Sequence, residues 1–116
     1  MSLRPYTLTF DAHNPRRLAE FWCGALGYDI TLDNGDEVAI EKPADARVLP
    51  LLFIRVADEK VVKNRVHLDL APDDQSAEVK RLKALGAREV DIGQRDVSWV
   101  VMADPEGNEF CVLTAR

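Results

Sequence analysis

The sequence predicts an α+β fold of two tandem βαβββ modules, forming a cupped mixed sheet with the helices on its outer face. Three observations carry this expectation. One order of elements (a strand, a helix and three strands) is written twice along the chain. The spacing repeats: Thr7 precedes Asn14 by seven residues, and His67 precedes Asp74 by seven. The ends repeat as well, because Leu-Gly closes both helical stretches, at Gly27 and again 59 residues later at Gly86.

Taken in order, Tyr6 to Ala12 alternates as a strand, with Tyr6, Leu8 and Phe10 on one face and Thr7, Thr9 and Asp11 on the other. Asn14-Pro15 opens a helix. The Asn side chain caps free N–H groups, and Pro at the first helical position loses no hydrogen bond. Leu18, Phe21, Trp22, Ala25 and Leu26 recur at helical spacing, and Gly27 ends the run. Tyr28 to Leu32 and Glu37 to Glu41 read as strands around an Asn34-Gly35 turn, a strong hairpin signal. Leu51 to Val56 is a further strand after a loop bounded by Pro43 and Pro50. The second module then runs as strand Val66 to Leu70, a helix capped by Asp74 with Val79, Leu82 and Leu85 as its apolar stripe, and strands Val90 to Ile92, Val97 to Ala103 and Glu109 to Leu113. Asp104-Pro105-Glu106-Gly107-Asn108 is the last turn.

The 116 residues suit a single domain over 1–116, with modules at 5–56 and 65–116 and a connector at 57–64. Hydrophobic residues make up 47% and charged residues 30%, an ordinary globular balance. The net charge of -5 and the scattered Lys and Arg speak against a nucleic-acid partner, which needs a concentrated basic face. No stretch has the roughly 18 apolar residues of a membrane span, and residues 1–9 do not read as a signal peptide. Cys23 and Cys111 stand in apolar stretches and form no CxxC pair. They read as buried thiols in a reducing compartment, so a cytoplasmic protein is expected, with a disulfide or a catalytic cysteine as the alternatives.

Strand parity locates the chemistry. In Val66 to Leu70 the apolar residues alternate with His67 and Asp69, which then face away from the helix. In the last strand Glu109, Cys111 and Leu113 share that second face, and Phe110 and Val112 take the helix side. A histidine and a carboxylate from different strands can bind a divalent metal or move protons. A structural role stays open for each: a hydrogen-bonded strand histidine at His67 and a solvated carboxylate at Glu109. His13 reads as a loop or capping residue, and Trp22 as core. Trp99 fits a core or a pocket wall equally. The sequence has no glycine-rich phosphate loop, GxSxG elbow, HExxH motif or calcium loop.

Three stretches resemble the short glyoxalase-like branch of the vicinal oxygen chelate superfamily: LTFDAHNPRRLAEFWCGALGY at 8–28, KNRVHLDL at 63–70, and LKALGAREV with WVVMADPEGNEFCVL at 82–90 and 99–113. The superfamily includes glyoxalases, bleomycin-resistance proteins and dioxygenases. The resemblance implies a cavity between the modules and, in metal-dependent members, one ligand from each of four strands. Here His67 and Glu109 fall on two of those places, while Thr7 and Leu51 (or Leu52, after a one-residue shift) fall on the others and cannot ligate. The implied cofactor is therefore a divalent metal with an incomplete ligand set, and the implied catalytic pair is His67 and Glu109. Thr7, Thr9, Leu51, Phe53, Asp69, Trp99 and Cys111 are the expected pocket residues. The implied partners are a small-molecule ligand and a second copy of the chain in a homodimer. Three activities stay open: a weak metal-assisted lyase or isomerase, a metal-free binding protein similar to bleomycin-resistance proteins, and a non-catalytic partner or regulatory domain.

Overall fold

The computed structural model describes residues 2–116; Met1, included in the expected 1–116 domain, lies outside the described residues. The chain divides into two compact units, Met1–Glu59 and Lys60–Arg116, so the division falls inside the expected 57–64 connector.

In the first unit the order is β1 (Leu8–Ala12), α1 (Pro15–Leu26), β2 (Asp29–Asp33), β3 (Glu37–Glu41) and β4 (Leu51–Arg55). The sheet order is β1-β4-β3-β2, with β1 and β4 parallel and the other pairs antiparallel. Asn14 caps α1 by accepting from the Arg17 amide at 3.1 Å, and Gly27 closes it with a φ of 73°. Leu18, Ala19, Phe21 and Trp22 bury the inner face of α1. Phe10 meets Trp22 and Phe53, with ring centroids 6.1 and 5.2 Å apart, so these residues form the seam between helix and sheet.

The second unit repeats the plan: β5 (Asp69–Leu70), α2 (Gln75–Leu85), β6 (Arg88–Glu89), β7 (Val100–Ala103) and β8 (Glu109–Val112). Its sheet order is β5-β8-β7-β6, with β5 and β8 parallel, which reproduces the first sheet strand for strand. Asp74 caps α2 through the Ala77 amide. The turn after β7 is organised by Asp104, a fully buried carboxylate that accepts from the amides of Glu106 and Asn108 and from the Asn108 side chain. Two βαβββ modules, each with its own four-stranded mixed sheet and flanking helix, are thus present.

Several expected boundaries need correction. β1 starts at Leu8 and Tyr6 is exposed, because β4 begins at Leu51 and offers Tyr6 no strand to pair with. β5 is only Asp69–Leu70. Its register pairs Asp69 with Cys111, so Val66 would lie beside Asn108, in the turn before β8. Val66 is accordingly 74% exposed and not packed under the helix. The expected strand at Val90 to Ile92 is replaced by β6 at Arg88–Glu89. The Asp91 carboxylate takes the Gly93 amide and the Gln94 side chain takes the Ile92 amide, so local bonds displace the ladder. Along α2 only Leu82 is fully buried; Leu85 is partly exposed.

Candidate functional site

Pleating gives each sheet a helix side and an opposite side. In the second unit Phe110 and Val112 pair with Met102 and Val100. Val100 lines an open groove of about 330 Å³ together with Gln75, Val79 and Lys83 of α2, which fixes this as the helix side. Cys111 and Glu109 pair with Val101 and Ala103 on the opposite face.

On that opposite face three donors converge. Asp69 and Cys111 are register partners across β5 and β8, and His67 lies two residues before Asp69. His67 Nε2 is 3.1 Å from Asp69 Oδ1. One ligand atom from each of His67, Asp69 and Cys111 lies within 4.8 Å of the other two. His67 and Asp69 are exposed, and Cys111 is buried. Burial pushes the Cys111 thiol up from its ordinary range, and the Asp69 carboxylate adds to the shift by charge and by accepting a hydrogen bond from it. The thiol therefore keeps its proton at neutral pH. A nitrogen, an oxygen and a sulfur donor this close together can chelate a divalent metal, as a partial ligand set.

Glu109 is outside this cluster. Its Oε2 accepts from Lys60 Nζ at 2.9 Å, and its Oε1 accepts from the Asn64 amide at 2.8 Å. The two side chains are largely shielded, 22% exposed for Lys60 and 14% for Glu109. Burial alone would raise the Glu109 carboxyl, but the Asn64 amide and the Lys60 ammonium outweigh it and hold the group below its usual range. Lys60 and Asn64 come from the stretch read as a connector, and sequence reasoning assigned neither a role. A lysine 49 residues from its partner leaves no local signal.

The remaining expected site residues are placed as follows. Thr7 donates its hydroxyl to the Pro50 carbonyl at 3.0 Å. Thr9 is exposed and pairs in register with Leu52. Leu51 and Phe53, expected at a pocket, belong instead to the buried set under α1: Leu51 is 3% exposed and Phe53 0%. The reason is parity, since they pair with Leu8 and Phe10 on the helix side of β1. Leu52 is the β4 residue on the other face, beside Thr9. Trp99 stands just before β7 and is 41% exposed, so it is not core. His13 Nε2 donates to the Asp58 carbonyl at 2.8 Å, a loop tie.

The ligand set of metal-dependent glyoxalase-like proteins does not fit these residues. Glu109 is committed to an ammonium and an amide, Thr7 to a carbonyl, and Leu51 is apolar.

The chain belongs to the family described as the glyoxalase-like domain, whose profile matches residues 7–113. It has the fold of the vicinal oxygen chelate superfamily. Its structure is similar to a glyoxalase/bleomycin resistance protein/dioxygenase family enzyme from Burkholderia phytofirmans PsJN, with a TM-score of 0.72 at 12% identity, covering 95% of this chain and 97% of that one. It is similar to the fosfomycin resistance protein FosX from Mesorhizobium loti, with a TM-score of 0.73 at 13% identity, covering 100% and 94%. It is also similar to the bleomycin-binding protein of Streptomyces verticillus, solved with copper(II)-bleomycin, with a TM-score of 0.64 at 13% identity, covering 100% and 99%. At these identities the likeness concerns the fold. No curated protein matches the chain in sequence.

Proposed function

We propose that this glyoxalase-like domain is a small-molecule-binding protein that does not use the His67–Glu109 metal pair of its metal-dependent relatives. One observation carries the reading: both carboxylate oxygens of Glu109 are taken, one by Lys60 and one by the Asn64 amide. Recruiting Glu109 to a metal would mean breaking a largely shielded ion pair and leaving the Lys60 ammonium without its carboxylate, held by the Val62 carbonyl alone. A metal-assisted lyase or isomerase built on that pair is therefore the less favoured reading. The net charge of -5 supports a cationic ligand, and a structural relative is a bleomycin-binding protein. The proposed ligand is a cationic or polar organic molecule held at the exposed His67 and Asp69, on the face of the second sheet opposite α2. A homodimer and a cytoplasmic setting, both expected from the sequence reading, belong to the same proposal.

The test is a thermal-shift and calorimetric screen of the intact chain with bleomycin and small organic cations, in the presence of a chelator. A ligand at about 100 times its Kd adds roughly 2.7 kcal/mol to stability. Saturable binding under chelation, weakened by Asp69→Asn, supports the proposal. Binding or turnover that needs added metal and is lost in Glu109→Gln supports the metal-assisted reading instead. No binding across the screen favours a non-catalytic partner module.

A further inference from the structure

We propose that His67, Asp69 and Cys111 form a thiolate-containing site for a zinc-class transition metal, distinct from the ligand set implied by the fold. The site shares His67 and Asp69 with the small-molecule reading above, and the metal titration below tests it without any organic ligand. Three facts support it. Two donors come from adjacent, hydrogen-bonded strands and His67 from just before β5: Asp69 and Cys111 are register partners, and the backbone bond from the Cys111 amide to the Leu68 carbonyl, 2.9 Å long, holds the chain together beside them. The ligand atoms already lie within 4.8 Å of one another. A tetrahedral ion with bonds of about 2.0–2.3 Å places its ligands roughly 3.3–3.8 Å apart, so rotamer adjustments of the two exposed side chains close the site. Finally, Asp69 already contacts the imidazole, with Oδ1 3.1 Å from His67 Nε2.

The chemistry follows from the donor types. Binding replaces the thiol proton: Cys111–SH and M²⁺ give Cys111–S–M and a proton released to solvent. A neutral imidazole, one carboxylate and one thiolate then balance the 2+ charge of the ion. Sulfur with imidazole selects zinc or cobalt over magnesium, calcium and manganese, which prefer oxygen. Three protein ligands leave a fourth position for water or an exogenous ligand. The site shares His67 with the expected family position but takes Cys111 where the family takes a carboxylate, because Lys60 holds Glu109.

The experiment is a cobalt(II) titration of the metal-free, reduced full-length chain under anaerobic conditions. The expected result is a near-ultraviolet thiolate-to-cobalt band saturating at a single equivalent, with tetrahedral visible bands, and its bleaching by zinc. Cys111→Ser abolishes the near-ultraviolet band, while Cys23→Ser and Glu109→Gln leave it unchanged. His67→Gln alters an exposed side chain, so it keeps the test open where Cys111→Ser impairs folding. Losing a ligand weakens cobalt binding at least as much as the roughly 10- to 100-fold caused by losing an outer partner. Absence of the band at saturation overturns the proposal, as does a band that survives Cys111→Ser in folded protein, survives His67→Gln at unchanged affinity, or depends on Cys23 or Glu109.

Discussion

Lys60 Nζ lies 2.9 Å from Glu109 Oε2, and this contact divides the candidate chemistry of the second unit in two. On one side is a carboxylate already neutralised. On the other is the His67, Asp69 and Cys111 cluster, which Lys60 does not occupy.

The pair predicts a pH dependence. The folded state holds the Glu109 carboxyl below its ordinary value, so it favours the ionised form. That contribution is complete above the unfolded carboxyl pKa of about 4.3, and it is lost as pH falls through the lower folded value. Melting temperature measured from pH 7 down to 3 should fall less steeply for Glu109→Gln than for the parent. Parallel curves would contradict the assignment. At neutral pH, Lys60→Ala should cost about 1–3 kcal/mol, since it strands a largely shielded carboxylate. The loss should shrink in a Glu109→Gln background.

Phe53 and Leu52 are neighbours in sequence on opposite faces of β4. Phe53 is fully buried between Phe10 and the α1 core, so Phe53→Ala should destabilise by about 3–5 kcal/mol in chemical denaturation. Leu52 is half-buried, and Leu52→Ala should cost clearly less. Equal losses would mean that the face assignment is wrong.

Asp104 should be as sensitive as an apolar core residue. Its fully buried side chain accepts from two amides and from the Asn108 amide group in the turn after β7. Removing it leaves those donors unsatisfied. Asp104→Ala is expected to cost about 2–4 kcal/mol, at roughly 1–3 kcal/mol per stranded group with partial relaxation. A change under about 0.5 kcal/mol would count against the network.

The Cys111 thiol offers a chemical readout. Burial is the larger cause of its raised pKa and persists in Asp69→Asn, but the carboxylate's share is removed. Metal-free Asp69→Asn should therefore alkylate faster at Cys111 than the parent at the same pH, as followed by peptide mass spectrometry. Identical rates would separate Asp69 from the thiol.

Much of the fold was legible because it is written in local signals. Asn14, Asp74, Gly27 and Gly86 mark helix ends through backbone chemistry that needs no distant partner. The repeated sheet order follows from the repeated spacing. The missed strand ends depend on what a neighbouring strand offers: Val66 and Tyr6 have suitable neighbours in sequence but face turn or loop in space. Parity brought Asp69 and Cys111 to one face correctly. It could not reveal that the β5 ladder stops at Asp69, two residue pairs short of setting His67 beside Glu109. Nor could it reveal Lys60, whose partner is fixed only by tertiary structure.

The most direct test is manganese(II) binding, read by electron paramagnetic resonance, on the parent, Glu109→Gln and Lys60→Ala. Manganese prefers oxygen ligands and so reports on the Glu109 position and not on a thiolate site. The account predicts no stoichiometric binding to the parent and no difference between the parent and Glu109→Gln. Stoichiometric manganese on the parent, lost in Glu109→Gln, would show that Glu109 leaves Lys60 for a metal and would contradict the account.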